Sequence, residues 1–173
     1  MDAAEVLIDG YGRVHDGLHD SLTDLPAEWL ERRVDVEANT IAWLAWHLVR
    51  VHDDHVATVA RTTQRWTADG WHERFALPFD PSAIGYGQSS DDVAAVTGIG
   101  SELLLGYHDA VHEATVAFLS KLTPGDLDRV VDTRWDPPVT LGVRLVSVLA
   151  DMLQHLGQVD YLRGLFRRAD RLG

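Results

Sequence analysis

The stretch that decides the fold is TLGVRLVSVLADMLQHLGQVDYLRGLFRR, residues 140–168. Val143, Leu145, Val146, Val148, Leu149, Met152, Leu153, Leu156, Val159 and Leu162 make it apolar over most of a helix circumference. Such a helix is expected to be largely enclosed, and its closing arginines suit the negative end of a helix dipole. Within it, Ser147, Asp151, His155 and Gln158 form one narrow polar line. Facing inward, that line would bury a carboxylate that needs a cation or donors. Facing outward, it would be an ordinary wet stripe, which Arg144 and Gln154 nearby permit. The pattern alone leaves both readings open.

Working outward, Asn39 and Thr40 are N-cap candidates for a second helix, IAWLAWHLVRVHDDHVATVART, residues 41–62. Trp43, Leu44, His47, Val51 and Thr58 share one face of it, so His47 lies in the apolar face. Val6, Leu7, Tyr11, Val14, Leu18 and Leu22 recur at helical steps and predict a first helix over about residues 3–22, with Pro26 in the loop beyond. Between residues 66 and 89 the pattern fails at Gly70, Pro78, Pro81, Gly85 and Gly87, yet Trp71, Phe75, Leu77, Phe79 and Tyr86 are too apolar for a disordered linker. This long ordered loop is either a functional wall or a crossover packed over the bundle. Ser89 or Ser90 is expected to cap a third helix carrying Val96, Leu103, Tyr107, Val111, Ala114 and Phe118 and ending near Lys121. Residues 126–139 form a connection to the last helix. Four helices of bundle length without strand alternation predict an all-α four-helix bundle, one domain over residues 1–173.

Composition excludes several function classes. A net charge of -12 argues against nucleic acid and anionic membrane surfaces, which demand an electropositive face. Absence of cysteine excludes thiolate metal sites, disulfides and cysteine nucleophiles, so any reactive thiol must arrive with a substrate. No signal-peptide pattern or bilayer-length apolar run is present, and a cytoplasmic location is expected.

Nine histidines invite a search for a metal site. His15 with His19, His108 with His112, and Asp151 with His155 are spaced four apart, which brings two side chains onto one helical face. At about 100° per residue, the first two pairs fall beside their core faces and read as flanking, solvated residues. His52, His55 and His72 read as surface or loop histidines. His47, Asp151 and His155 together would offer two imidazoles and a carboxylate from facing helices, an open three-ligand set for zinc first, with nickel, iron or manganese as alternatives. A lone histidine on an apolar face more often serves as a hydrogen-bonded core residue. Asp54, two turns beyond His47, is a candidate proton acceptor, and Gln158 could hold a ligand or water. Arg50 and Arg163 could clamp an anionic group of a substrate. Each of these four also reads as an ordinary surface or helix-end residue.

NTIAWLAWHLVRVHDDH together with VTLGVRLVSVLADMLQHLGQVDYLRG resembles the DinB-like superfamily of metal-binding four-helix bundles, over essentially the whole chain. Those proteins carry a histidine in the second helix and an H-x-x-x-H pair in the last, followed by G-Q and often L-R-G. His47, Asp151, His155, Gly157-Gln158 and Leu162-Arg163-Gly164 fall on those places. Asp151 stands where the commonest pattern has histidine, and the mycothiol-dependent maleylpyruvate isomerase branch is similar in using a carboxylate there. The resemblance implies one divalent metal ion, a homodimer, and reactions such as transfer of a low-molecular-weight thiol, mycothiol or bacillithiol, to small electrophiles. Metal-dependent hydrolysis, or a noncatalytic metal- or ligand-binding stress protein, are the alternatives it leaves. Mycothiol as co-substrate is preferred over bacillithiol.

Overall fold

Asp2 starts the first helix with a reciprocal cap. Its carboxylate accepts from the backbone N–H of Glu5, and the Glu5 carboxylate accepts from the N–H of Asp2. The computed structural model describes residues 1–172 and runs α1 (Ala3–Leu22), α2 (Ala27–Glu31), α3 (Ile41–Ala60), α4 (Arg65–Ala68), α5 (Trp71–Phe75), α6 (Ser90–Ala94), α7 (Ser101–Leu119) and α8 (Leu141–Leu172). A 3-10 turn over Pro124–Asp128 and two short strands, β1 (Val130–Asp132) and β2 (Val139–Thr140), fill the last connection. The strands pair antiparallel, with Val130 opposite Thr140. They are too short to produce a readable alternation.

The long helices α1, α3, α7 and α8 form the predicted bundle. Helix α3 packs most extensively on α8 and also on α7, while α1 lies against α7 and α8. Thr40 caps α3 by accepting from Trp43 N at 3.0 Å. Nearly every residue of α3 is buried, its polar side chains His47, Arg50, His52 and Asp53 included. Gly10 and Gly17 face α8, where a Cβ would press on Leu149 and Leu156, so glycine lets the two helices approach.

Two expectations are corrected and one is refined. The third helix does not run on from Ser89: that residue caps only α6, the chain turns at Gly98 with φ 71°, and α7 begins afresh at Ser101. The expected long ordered segment between α3 and α7 carries the short helices α4, α5 and α6, and its Trp66, Trp71 and Phe75 are buried. Helix α8 is not enclosed all round, because Val143, Val146, Leu153 and Tyr161 are exposed.

Candidate metal centre

Helices α3 and α8 bring His47, Asp151 and His155 to one place. One donor atom of each lies within 4.8 Å of the others. The i, i+4 spacing on α8 sets Asp151 Oδ1 and His155 Nε2 3.6 Å apart, and His47 meets His155 edge to face with ring centroids 4.8 Å apart. The middle of the polar line of α8 therefore turns toward α3, with Asp151 and His155 partly buried and His47 buried, while Ser147 and Gln158 at its ends are exposed.

Both rings are oriented by their other nitrogen. His155 Nδ1 donates to Gln158 Oε1 at 2.9 Å, and His47 Nδ1 donates to the carbonyl of Ile84. Amide and carbonyl oxygens accept only, so each ring carries its proton on Nδ1 and keeps the Nε2 lone pair free. That arrangement, with an outer partner fixing the tautomer of an imidazole ligand, is the one metal sites use. Burial holds His47 below the usual histidine pKa, a shift partly offset by the Ile84 carbonyl, and so favours the neutral ring a metal needs. Asp151 Oδ2 is buried without a hydrogen-bond partner. An orphaned carboxylate oxygen beside two open imidazole lone pairs fits a divalent cation, which supplies the missing partner.

The loop before α6 closes one side of this centre. Gly85, at φ 93°, lies so near His47 that a Cβ would strike Nδ1. Trp43 stacks on His47 at 4.7 Å and donates through Nε1 to Gln88 Oε1 at 2.7 Å. Ile84, Gly85 and Gln88 are thus a wall of the site that sequence patterns missed, because the acceptor for His47 is a backbone atom 37 residues downstream.

The other sequence candidates separate. Gln158 supports His155 and lines a cleft of about 340 Å³ with Asn39, Leu44, Gln154 and Tyr161. Asp54 accepts from Gln64 Nε2 at 2.8 Å and opens onto a cleft shared with His55, Arg134 and Arg144. Arg50 is not available as a substrate clamp. It has no exposed surface, donates to Ala83 O and the Tyr107 hydroxyl, and lies over the Trp66 ring. Its neighbour Asp53, which sequence reading passed over, accepts from the backbone of Arg65 and Trp66 and from Tyr107. These contacts pin α4 and the following segment to α3. Arg163 is not beside His155 either; it lines a cleft with His19, Asp20, Trp29 and Arg167 at the end of α1.

Two of the histidines that read as surface or flanking groups are interior ones, whereas His55 and His72 are partly exposed. His52 and His108 are fully buried. The His52 ring faces Tyr11 at 5.0 Å, and its Nε2 donates to the Thr115 hydroxyl at 2.8 Å, whose own proton goes to Val111 O. Burial, aided by the nearby His112 and His15, pulls the His52 pKa down to about 3. The His15 and His19 pair, read as solvated, meets Asp109 of α7.

Residues 12–167 match the family described as mycothiol-S-transferase. A solved structure described as that of the conserved protein of locus from Enterococcus faecalis is 26% identical, with a TM-score of 0.87 over 94% of this chain and 96% of that one. No curated protein matches the sequence at a significant level. With nine-tenths of the chain matched and the bundle shared, this protein belongs to the mycothiol S-transferase family, a DinB-like family.

Proposed function

We propose that this chain is a metal-dependent transferase that joins a low-molecular-weight thiol of the mycothiol type to a small electrophile, with its ion held by His47, Asp151 and His155. The observation that carries the reading is the pair of imidazoles whose Nδ1 protons are engaged by Ile84 O and Gln158 Oε1, beside a carboxylate oxygen without a partner. Zinc is the first choice for this nitrogen and oxygen set, and nickel, iron and manganese are alternatives. When bound, the ion supplies a positive charge that lowers the pKa of an incoming thiol and makes thiolate available near neutral pH.

The chain supplies what surrounds that charge. Trp43 and the loop from Ile84 to Gln88 shield His47 from water on one side. Asn39, Gln154 and Gln158 offer amide groups along the adjoining cleft, where Leu44, Tyr161 and Leu162 give an apolar floor. Such a lining suits a thiol carried on a hydroxyl-rich body. In the transfer, sulfur forms a bond to the electrophilic carbon as the leaving group departs with its electron pair, and the thiol proton passes to a base. Asp54 is the first acceptor to test, beside His55, which burial holds below its usual pKa.

The test is consumption of mycothiol with an alkylating electrophile, by metal-loaded and by chelated protein. Turnover that depends on metal and vanishes in His47→Ala and in His155→Ala supports the reading. Turnover that survives both chelation and these substitutions overturns it. Asp54→Asn is expected to keep the ion while slowing turnover about a hundredfold.

A further inference from the structure

A second group of ligand-type side chains stands on the other side of the bundle, where α1 meets α7. His15 and His19, one turn apart on α1, direct Nε2 at the same oxygen, Asp109 Oδ1 of α7, at 2.9 and 2.7 Å. His15 also sets Nδ1 3.2 Å from Asp16 Oδ1. Both nitrogens of His15 therefore face carboxylate oxygens, whereas a neutral imidazole has one proton to give. The remaining lone pair points at negative charge, so the geometry calls for a cation.

Protons are an awkward way to provide it. The His15 ring lies 4.6 Å from that of His19, 4.3 Å from His112 in a stacked arrangement, and 5.3 Å from the fully buried His108. Charging several of these rings would set like charges side by side. Both nitrogens of His108 and Nδ1 of His112 are buried without a hydrogen-bond partner, which is rare for neutral imidazoles in a finished core. A single divalent ion would serve both α1 imidazoles and the carboxylate at once. Donor atoms about 2 Å from one tetrahedral ion stand roughly 3.3 Å apart, so the observed spacings need open by only tenths of an ångström. The Asp16 carboxylate on Nδ1 is the outer partner that commonly orients an imidazole ligand.

We propose that His15 Nε2, His19 Nε2 and the Asp109 carboxylate form a second divalent-metal site, at the seam of α1 and α7, that takes a borderline ion such as zinc, nickel or copper(II). Two nitrogens and one oxygen select this class over magnesium and calcium. The ion cross-links the two helices, with His112 and His108 behind it closing the inner side. This site stands independently of the one between α3 and α8.

The experiment is elemental analysis of the whole protein after incubation with zinc chloride and removal of free ion. It compares wild type, His47→Ala with His155→Ala, and His19→Gln with Asp109→Asn. Two ions in wild type and one in each double variant support the proposal. Two ions retained in His19→Gln with Asp109→Asn, or none in His47→Ala with His155→Ala, overturn it. A single wild-type ion lost only from His19→Gln with Asp109→Asn supports this site and sinks the metal centre between α3 and α8; the converse sinks this one. If the second double variant fails to fold, wild-type protein decides the matter. Zinc must shift the ring resonances of His15 and His19 in NMR spectra, and unmoved resonances at saturation overturn the assignment.

Discussion

The two histidine clusters use the same residue types in opposite states of readiness. Between α3 and α8, each imidazole spends its Nδ1 proton on a neutral oxygen and leaves Nε2 open. Between α1 and α7, both Nε2 atoms already engage Asp109, so an ion there must displace protons and separate bonded partners. The first arrangement is preorganised to bind; in the second, an ion relieves the lone pair that His15 turns to a carboxylate but has to open existing contacts to do so. The difference teaches that ligand identity and proximity say less about affinity than where the protons are parked. Binding between α3 and α8 should accordingly be the tighter of the two.

The largest effect should come from His47→Ala, which removes a ligand and the contact to Ile84 together. Metal at the α3/α8 centre and mycothiol turnover are expected to fall about a thousandfold or more, while zinc bound at α1 and α7 remains. Loss of both ions in this variant would break the contrast between independent sites. Elemental analysis and a mycothiol consumption assay give the reading.

Next is acid sensitivity, which sharpens the contrast between buried and accessible rings. His52 has a folded pKa of about 3 against 6.5 for the ordinary side chain, so the unfolded chain binds a proton that the native state refuses. Stability is then lost as pH falls below 6.5, by about 1.4 kcal/mol per pH unit from this group, until pH approaches 3. The buried His108 and the half-buried His112, both held below the usual value chiefly by desolvation, act in the same direction. Urea titrations from pH 7 to 4 should show the decline, and His52→Gln should flatten it. A profile unchanged by that substitution would mean His52 does not carry it.

Gly85→Ala is expected to cost about 2 kcal/mol, because alanine at this positive φ is strained and its Cβ must push His47 off the Ile84 carbonyl. Thermal melts combined with zinc titration measure both consequences, and a variant with native stability and affinity would show that the loop yields freely. The smallest effect is Gln158→Leu. It removes the acceptor of His155 Nδ1 and should weaken metal binding about tenfold, as loss of an outer partner does, with little change in fold. An unchanged affinity would mean that the tautomer of His155 is fixed without this amide.

Much of this architecture was legible in the residues themselves. The repeat from Leu7 to Leu22 marked α1, and Thr40 marked the start of α3. His47, Asp151 and His155 were legible as a possible ligand set because two lie one turn apart and the third sits in an apolar face. The failures have physical causes. His52 reads as a surface residue by its angle from one apolar face, but that side of α3 meets α1 and α7, where Tyr11 and Thr115 cover the ring. His19 does flank the core face of α1, yet the flank of one helix is the neighbour of another, and Asp109 was invisible as its partner until α1 and α7 were packed. The charge of Arg50 suggests a substrate clamp, whereas its planar guanidinium joins Trp66, Tyr107 and the Ala83 carbonyl inside the protein.

The hydrogen bond from His47 to Ile84 ties a ligand on one helix to a stretch of backbone that reaches it through an excursion of more than thirty residues. Docking of that excursion and retention of the ion are therefore thermodynamically linked. Ion occupancy should protect the peptide bonds around Ser82 to Gln88 against a protease, and one nick there should hasten escape of the ion although every coordinating side chain is still in the polypeptide.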